Sequence, residues 1–251
     1  VLWTVILLTA STIAIAATVL LPRLREERIV FDHAPDRPLP FGYKMSWLAL
    51  RTRETRRVIE LLGVAEARPC NWQSGIGTVY DGDLGENHIF ITPPVGDWTF
   101  VIGLPLPHPV GKGFVDKSTP FLLDLGRDLP EVQYFFTYPL IDFFAWARIK
   151  DAKLVRAFAI GDEGIVWNKG RATREEKALG LKLFELRGVR GRKGDAGGEM
   201  ILYPTEDHVM RIAAGWSLDP TLLGDEPGRP ATGYVGLAPL AWRSERLRKV
   251  G

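Results

Sequence analysis

Residues 1–22, VLWTVILLTASTIAIAATVLLP, carry no charge, and their only polar side chains are the hydroxyls of Thr4, Thr9, Ser11, Thr12 and Thr18. Such hydroxyls can return their hydrogen bonds to a helix's own carbonyls, so the stretch reads as a helix that is apolar on every side. A soluble surface helix keeps one polar stripe; this one has none. At about 1.5 Å per residue it reaches roughly 30 Å, the thickness of a bilayer's hydrocarbon core. The expectation is one N-terminal transmembrane helix, an uncleaved anchor whose partner is the lipid bilayer. A cleaved signal peptide and a buried core helix are the weaker readings. Ala14-Ile15-Ala16 has the small residues of a cleavage site, but no basic residue precedes it, and the apolar run continues through Val19, Leu20 and Leu21. Arg23, Arg25 and Arg28 follow directly. By the positive-inside rule the expectation is a single-pass protein with its body in the cytoplasm, the membrane being the inner one if the source is bacterial; basic residues upstream of Val1 would then place the body in the periplasm.

The composition is otherwise that of an ordinary globular protein, with 46% hydrophobic and 25% charged residues over the chain, so disorder is not its default state. The lone cysteine, Cys70, permits no internal disulfide. Balanced basic and acidic side chains, 32 against 30, leave a net charge of +2, which predicts no nucleic-acid partner.

Residues 23–43, with Pro35, Pro38 and Pro40, resist helix and central strand and are expected to be a stiff tether. Residues 44–223 are expected to form a globular α+β domain, a mostly antiparallel sheet with three or four packed helices. Residues 224–251 are expected to be a flexible basic tail ending in Arg243, Arg246, Arg248 and Lys249. Within the domain, KMSWLALRT predicts a strand. RETRRVIELLGV predicts a helix with Val58, Leu61 and Leu62 on one face and Gly63 at its end. WQSGIGTVYD, HIFITPP and WTFVIGLPL read as β-rich runs separated by turns. Thr119 and Pro120 predict the start of a helix, with the threonine as cap. EVQYFFTYPL, IDFFAWARIKD and KLVRAFAIGD predict strands, the last two a hairpin turning at residues 150–152, and GIVWNKG predicts another. Thr173 and Glu176 have capping-box spacing for a helix. RGVRGRKGDAGGE, residues 187–199, predicts a mobile loop. TEDHVMRIAAGW predicts a helix capped by Thr205 that buries Val209, Ile212 and Ala213.

Signatures of chemistry are few. His33, His88, His108 and His208 are well separated, so no metal site and no cofactor is expected. DGDLGEN resembles the start of a calcium loop, but Thr92 stands where the twelfth-position carboxylate belongs, and a turn explains it better. No Walker, dinucleotide or GxSxG pattern is present, Cys70 reads as buried and inert, and no catalytic residue is nominated. Aromatic density remains. Along IDFFAWARIKD, Asp142, Phe144, Trp146 and Arg148 alternate onto one face. Asp142, Trp146 and Arg148 could line a polar pocket that Glu163 or Asn168 approaches from neighbouring strands. The competing reading is a sheet face covered by a helix.

The segments FITPPVGDWTFVIGLP, EVQYFFTYPLIDFFAWARIKDAKLVRAFA and WNKGRATREEKALG resemble those of a family of bacterial proteins of unknown function with the pattern TPPV-x-x-W, VQYF, AWAR and N-x-G-x-x-T-x-E-E. The likeness spans roughly residues 44–222. It implies a bacterial, single-domain α+β protein and brings no residue roles. The anchor, with no catalytic motif beside it, leads to the expectation of a membrane-anchored, non-catalytic interaction or ligand-binding domain, an immunity-type protein that blocks a toxin being one form of it. The alternatives are a hydrolase using carboxylates such as Asp142 and Glu163, and a membrane scaffold or signalling component.

Overall fold

The computed structural model describes residues 31–109, 116–161, 164–181, 204–225 and 229–243, with Thr9 and Ser11. Apart from those two, the expected anchor lies outside the described residues, as do Glu163 and the loop over 187–199. Among the described residues no helix is long and apolar enough to cross a membrane. The chain divides into two units, Val1–Asp32 and His33–Gly251. The second is α+β: a nine-stranded sheet with all its pairs antiparallel, and several helices.

In chain order the strands are β1 (Ser46–Leu50), β2 (Ala65–Cys70), β3 (His88–Ile91), β4 (Thr99–Ile102), β5 (Glu131–Tyr138), β6 (Phe143–Lys150), β7 (Lys153–Gly161), β8 (Gly164–Gly170) and β9 (Gly233–Leu237). The helices are α1 (Thr55–Leu62), α2 (Trp72–Tyr80), α3 (Ser118–Asp128), α4 (Arg174–Ala178) and α5 (Glu206–Trp216). Across the sheet the order is β2-β9-β3-β4-β1-β5-β6-β7-β8. The β6–β7 hairpin turns on Asp151 and Ala152, both at positive φ (50° and 58°). That pair of left-handed residues matches the twist of the flanking strands.

Side-chain alternation divides the core between the two faces of the sheet. On one, Leu48, Val101, Val132, Ala145, Ala147 and Ala157 meet Val58 and Leu62 of α1 and Leu122 and Leu125 of α3. On the other, Trp47 stacks on Phe135, which meets Trp216 of α5, and Trp146 lies against Phe158. Helix α1 ends as its glycine predicts: Gly63 is left-handed (φ 64°), and its N–H and that of Val64 return to the carbonyls of Glu60 and Ile59. Both expected capping residues of α4 and α5, Thr173 and Thr205, accept from the backbone three residues on.

Several expectations need correction. WQSGIGTVY is a helix, α2, where a β-rich run is expected. Its N-terminal amides are satisfied from two places: Asn71 Oδ1 accepts from Ser74, and the Asp36 carboxylate accepts from Trp72 (2.7 Å) and Gln73 (2.9 Å). Gly75 faces Phe90, and a Cβ there would come within 2.3 Å of the ring; close packing, not strand propensity, decides this segment. Asp36 belongs to the stretch expected as tether, which from His33 onward is part of the folded unit and buries Phe41 against Trp47 and Phe100. The expected tail likewise supplies β9, hydrogen-bonded between β2 and β3. Strand β2 itself carries no clear pattern, since most of AEARPC is exposed or half-buried. At α3, Asp116 and not Thr119 caps the helix by accepting the Thr119 N–H at 2.8 Å.

Candidate functional site

The face expected to hold a pocket is built outward from β6. Pairing in register sets Arg148 of β6 directly opposite Arg156 of β7. Like charges so placed repel, and each arginine has its own carboxylate. Arg148 Nε donates to Glu131 Oε1 at 2.7 Å, and its guanidinium lies 5.6 Å from the centre of the Trp216 ring. Arg156 Nε donates to Glu176 at 2.8 and 3.0 Å, while its Nη1 donates to Asn168 Oδ1 at 2.7 Å and to the carbonyl of Lys169 at 3.1 Å. Glu176, fully buried, also accepts from the Trp146 indole at 3.0 Å and the Thr173 N–H at 2.6 Å. A charge taken out of water is tolerable only with such complete partnering.

The residues singled out in the sequence therefore part company. Trp146 and Asn168 share the Arg156–Glu176 network. Arg148 sits beside it in a second pair with Glu131, and Gln133 Nε2 ties Glu131 to the carbonyl of Trp216. This face is filled and covered by α4 and α5. Asp142 is elsewhere. Strand β6 starts at Phe143, and Asp142 precedes it in a left-handed conformation (φ 47°) that closes the 3-10 turn Pro139–Ile141.

Sequence reasoning missed Arg156, Glu131 and Gln133, and it read Glu176 as a helix cap alone. The available signal was a lone arginine inside the apolar run of KLVRAFAIG: a charge at a core position demands a counter-ion.

Asp142 lines an open cleft of about 530 Å³ between the tip of the β5–β6 hairpin and the first turn of α5, together with Tyr43, Pro139, Phe144, Pro204, Thr205, Glu206 and Asp207. Its acidic groups, Asp142, Glu206 and Asp207, have no cation among the lining residues. Tyr43 Oη donates to Asp207 at 3.2 Å, and the Lys44 backbone N–H donates to Glu206 at 3.2 Å. Partial desolvation, then the Asp207 carboxylate, raise the Tyr43 hydroxyl above its usual pKa. At the rim, Leu140 and Ile141 are 74% and 54% exposed, and Tyr43 is 44% exposed. The arrangement can bind a group that combines positive charge with apolar surface.

Other groups with chemical potential are placed as follows. Burial pushes the Cys70 thiol up to about 12, which keeps it protonated and unreactive. The Asp81 carboxylate in DGDLGEN accepts the backbone N–H groups of Asp83 and Leu84, which closes a local turn and holds its pKa low. Among the described residues no group of three histidine, cysteine or carboxylate side chains is placed to hold a metal. Comparison with models of known families, with curated proteins and with solved structures found no match for this chain.

Proposed function

We propose that this protein is a membrane-anchored, non-catalytic interaction domain, of the kind that binds and restrains another protein at the membrane, as an immunity protein does. The observation that carries the reading is the exposed apolar tip, Leu140 and Ile141, beside a cleft whose charged side chains are all acidic. Exposed apolar groups rimmed by polar ones mark interaction surfaces, and the uncancelled carboxylates select a partner that presents lysine or arginine next to an apolar side chain. The same carboxylates argue against lipid as the occupant. Anionic headgroups attract basic residues by about 1 kcal/mol each and repel acidic ones in the same field. Anchoring rests on residues 1–22 and their hydrocarbon-like composition. Trp146 and the Arg156–Glu176 pair fill the sheet face, while Asp142, one of the two carboxylates of the alternative hydrolase reading, lines the open cleft.

A photo-crosslinker at position 140 of the full chain, in native membranes, tests this. The reading expects a discrete protein adduct that is absent when the crosslinker stands at exposed Val155 and lost when Asp142 and Glu206 are changed to lysine. Lipid adducts alone, or equal capture from both positions, would overturn it.

A further inference from the structure

We propose that His208 is a pH-sensitive latch on the first turn of α5, holding the cleft in its observed shape when neutral and releasing that turn when protonated. The role in shaping a contact surface rests on the interaction function proposed for the cleft; the latch itself stands on the cap geometry. A capping box normally places glutamate or glutamine at the third helical position, and here the position is histidine. The Thr205 N–H donates to His208 Nδ1 at 3.0 Å, Thr205 Oγ1 lies 3.1 Å from the same nitrogen, and the His208 N–H returns to Thr205 Oγ1 at 3.4 Å. A backbone N–H can only donate, so Nδ1 must hold a lone pair and the ring proton sits on Nε2. Protonation turns Nδ1 into a donor facing another donor, and sets a positive charge at the helix N-terminus, where the macrodipole opposes it. Both effects act on the turn that carries Thr205, Glu206 and Asp207 into the cleft wall.

The surrounding charges agree in direction. Desolvation chiefly, then Arg211 one turn along α5, lower the His208 pKa, and Asp207 opposes them. Of the elements packed on α5, β5, β6 and α4 place their charged groups, Glu131, Arg148 and Glu175, around Trp216 at its far end. Asp219, just before the 3-10 turn Pro220–Asp225 that also packs on α5, bonds Thr221. At the near end, Lys44 and Tyr43 engage Glu206 and Asp207. Because the folded-state pKa is depressed, the cap is complete above histidine's ordinary pKa of 6.5 and is lost as pH falls below that value through the folded pKa.

Amide exchange and histidine ring titration by NMR on the full chain decide the matter. Between about pH 8 and about pH 5, the range bracketing histidine's titration, the protection factor of the Thr205 amide should fall about fivefold, the scale of an N-cap. The Tyr43 ring resonances should shift with the same midpoint. In His208→Gln, which keeps an acceptor but cannot charge, both changes should vanish while the protection at high pH remains. Unchanged Thr205 protection in the native chain, or an equal loss in His208→Gln, would overturn the latch. Failure of the crosslinking from position 140 with the titration intact would overturn the interaction function and leave the latch standing.

Discussion

The two faces of the sheet solve one burial problem in opposite ways. Against α1 and α3 the interface is largely aliphatic, Leu48, Val101, Val132 and Leu122 being held by contact and exclusion of water, and its few polar ring atoms pair locally, Tyr134 with His108 and the Trp167 indole with Thr119. Against α4 and α5 the interface mixes large rings with one fully buried ion pair, Arg156–Glu176, and a second that is partly exposed at Arg148. The network around Glu176 is densely paired, while the Trp47 indole N–H and Gln133 Oε1 are buried without a partner among the described residues. Buried ion pairs are weak as net stabilisers but severe when one member is removed. The difference teaches that a mixed charged and aromatic strand face, which in sequence resembles a pocket lining, can be a specified core. The second face fixes where a short helix docks, and the first fills volume.

Removing Glu176 should break this comparison hardest. Glu176→Ala strands the Arg156 guanidinium, the Trp146 indole and the Thr173 amide, and urea unfolding should show a loss of about 3–5 kcal/mol; a loss well under 1 kcal/mol would mean that the network is incidental. Replacing Arg156 and Glu176 together by methionine and leucine should cost less than Glu176→Ala alone, since no charge is then left unpaired and the remaining loss is that of the acceptor for the Trp146 indole and the Thr173 amide. Next in size, Leu122→Ala on the aliphatic face should cost about 2–5 kcal/mol by cavity formation, with no rescue from any second polar change.

The aliphatic face has one acid-labile member, which sharpens the contrast. His108 stacks on Phe136 at 4.6 Å with its Nδ1 3.2 Å from Tyr134 Oη, and burial lowers its pKa to about 4. Its contribution is complete above 6.5, the unfolded value, and is lost as pH falls through about 4. By the usual conversion this amounts to about 3 kcal/mol, and His108→Leu should flatten that part of a stability-against-pH curve. Smallest of all, Leu140→Ser at the hairpin tip should move the melting midpoint negligibly, within about 0.5 kcal/mol, because that side chain supports neither face.

Elements whose sequence carries its own instructions were legible. Gly63 ends α1, Thr173 and Thr205 begin α4 and α5, and the alternation of FFAWARIK is the alternation of β6. The elements that escaped depend on residues far apart in the chain. Helix α2 exists because Asp36 caps it and Phe90 needs the space left by Gly75. Strand β2 forms because β9 comes back to pair with it, and its exposed AEARPC gives periodicity nothing to detect. Of the candidate site, the face shared by Trp146 and Arg148 was readable, and Asn168 does approach it from β8. Asp142 was not placeable by counting along the strand, because the 3-10 turn before it resets the alternation. Arg156 and Glu176, 20 residues apart, meet only through the fold.

Strand β9 lies inside the sheet although it comes after the other eight strands in chain order, and within the sheet it alone joins β2 to the rest. While the nascent polypeptide emerges, the edge of β3 therefore stays open, and β2 has no strand to pair with until Gly233–Leu237 leaves the ribosome. A truncation before residue 233 would strand both, turning an interior seam into an unpaired border prone to aggregation. Closure of the sheet thus waits on its last-made strand, and a prematurely terminated copy is left with the exposed backbone donors and acceptors of an open border.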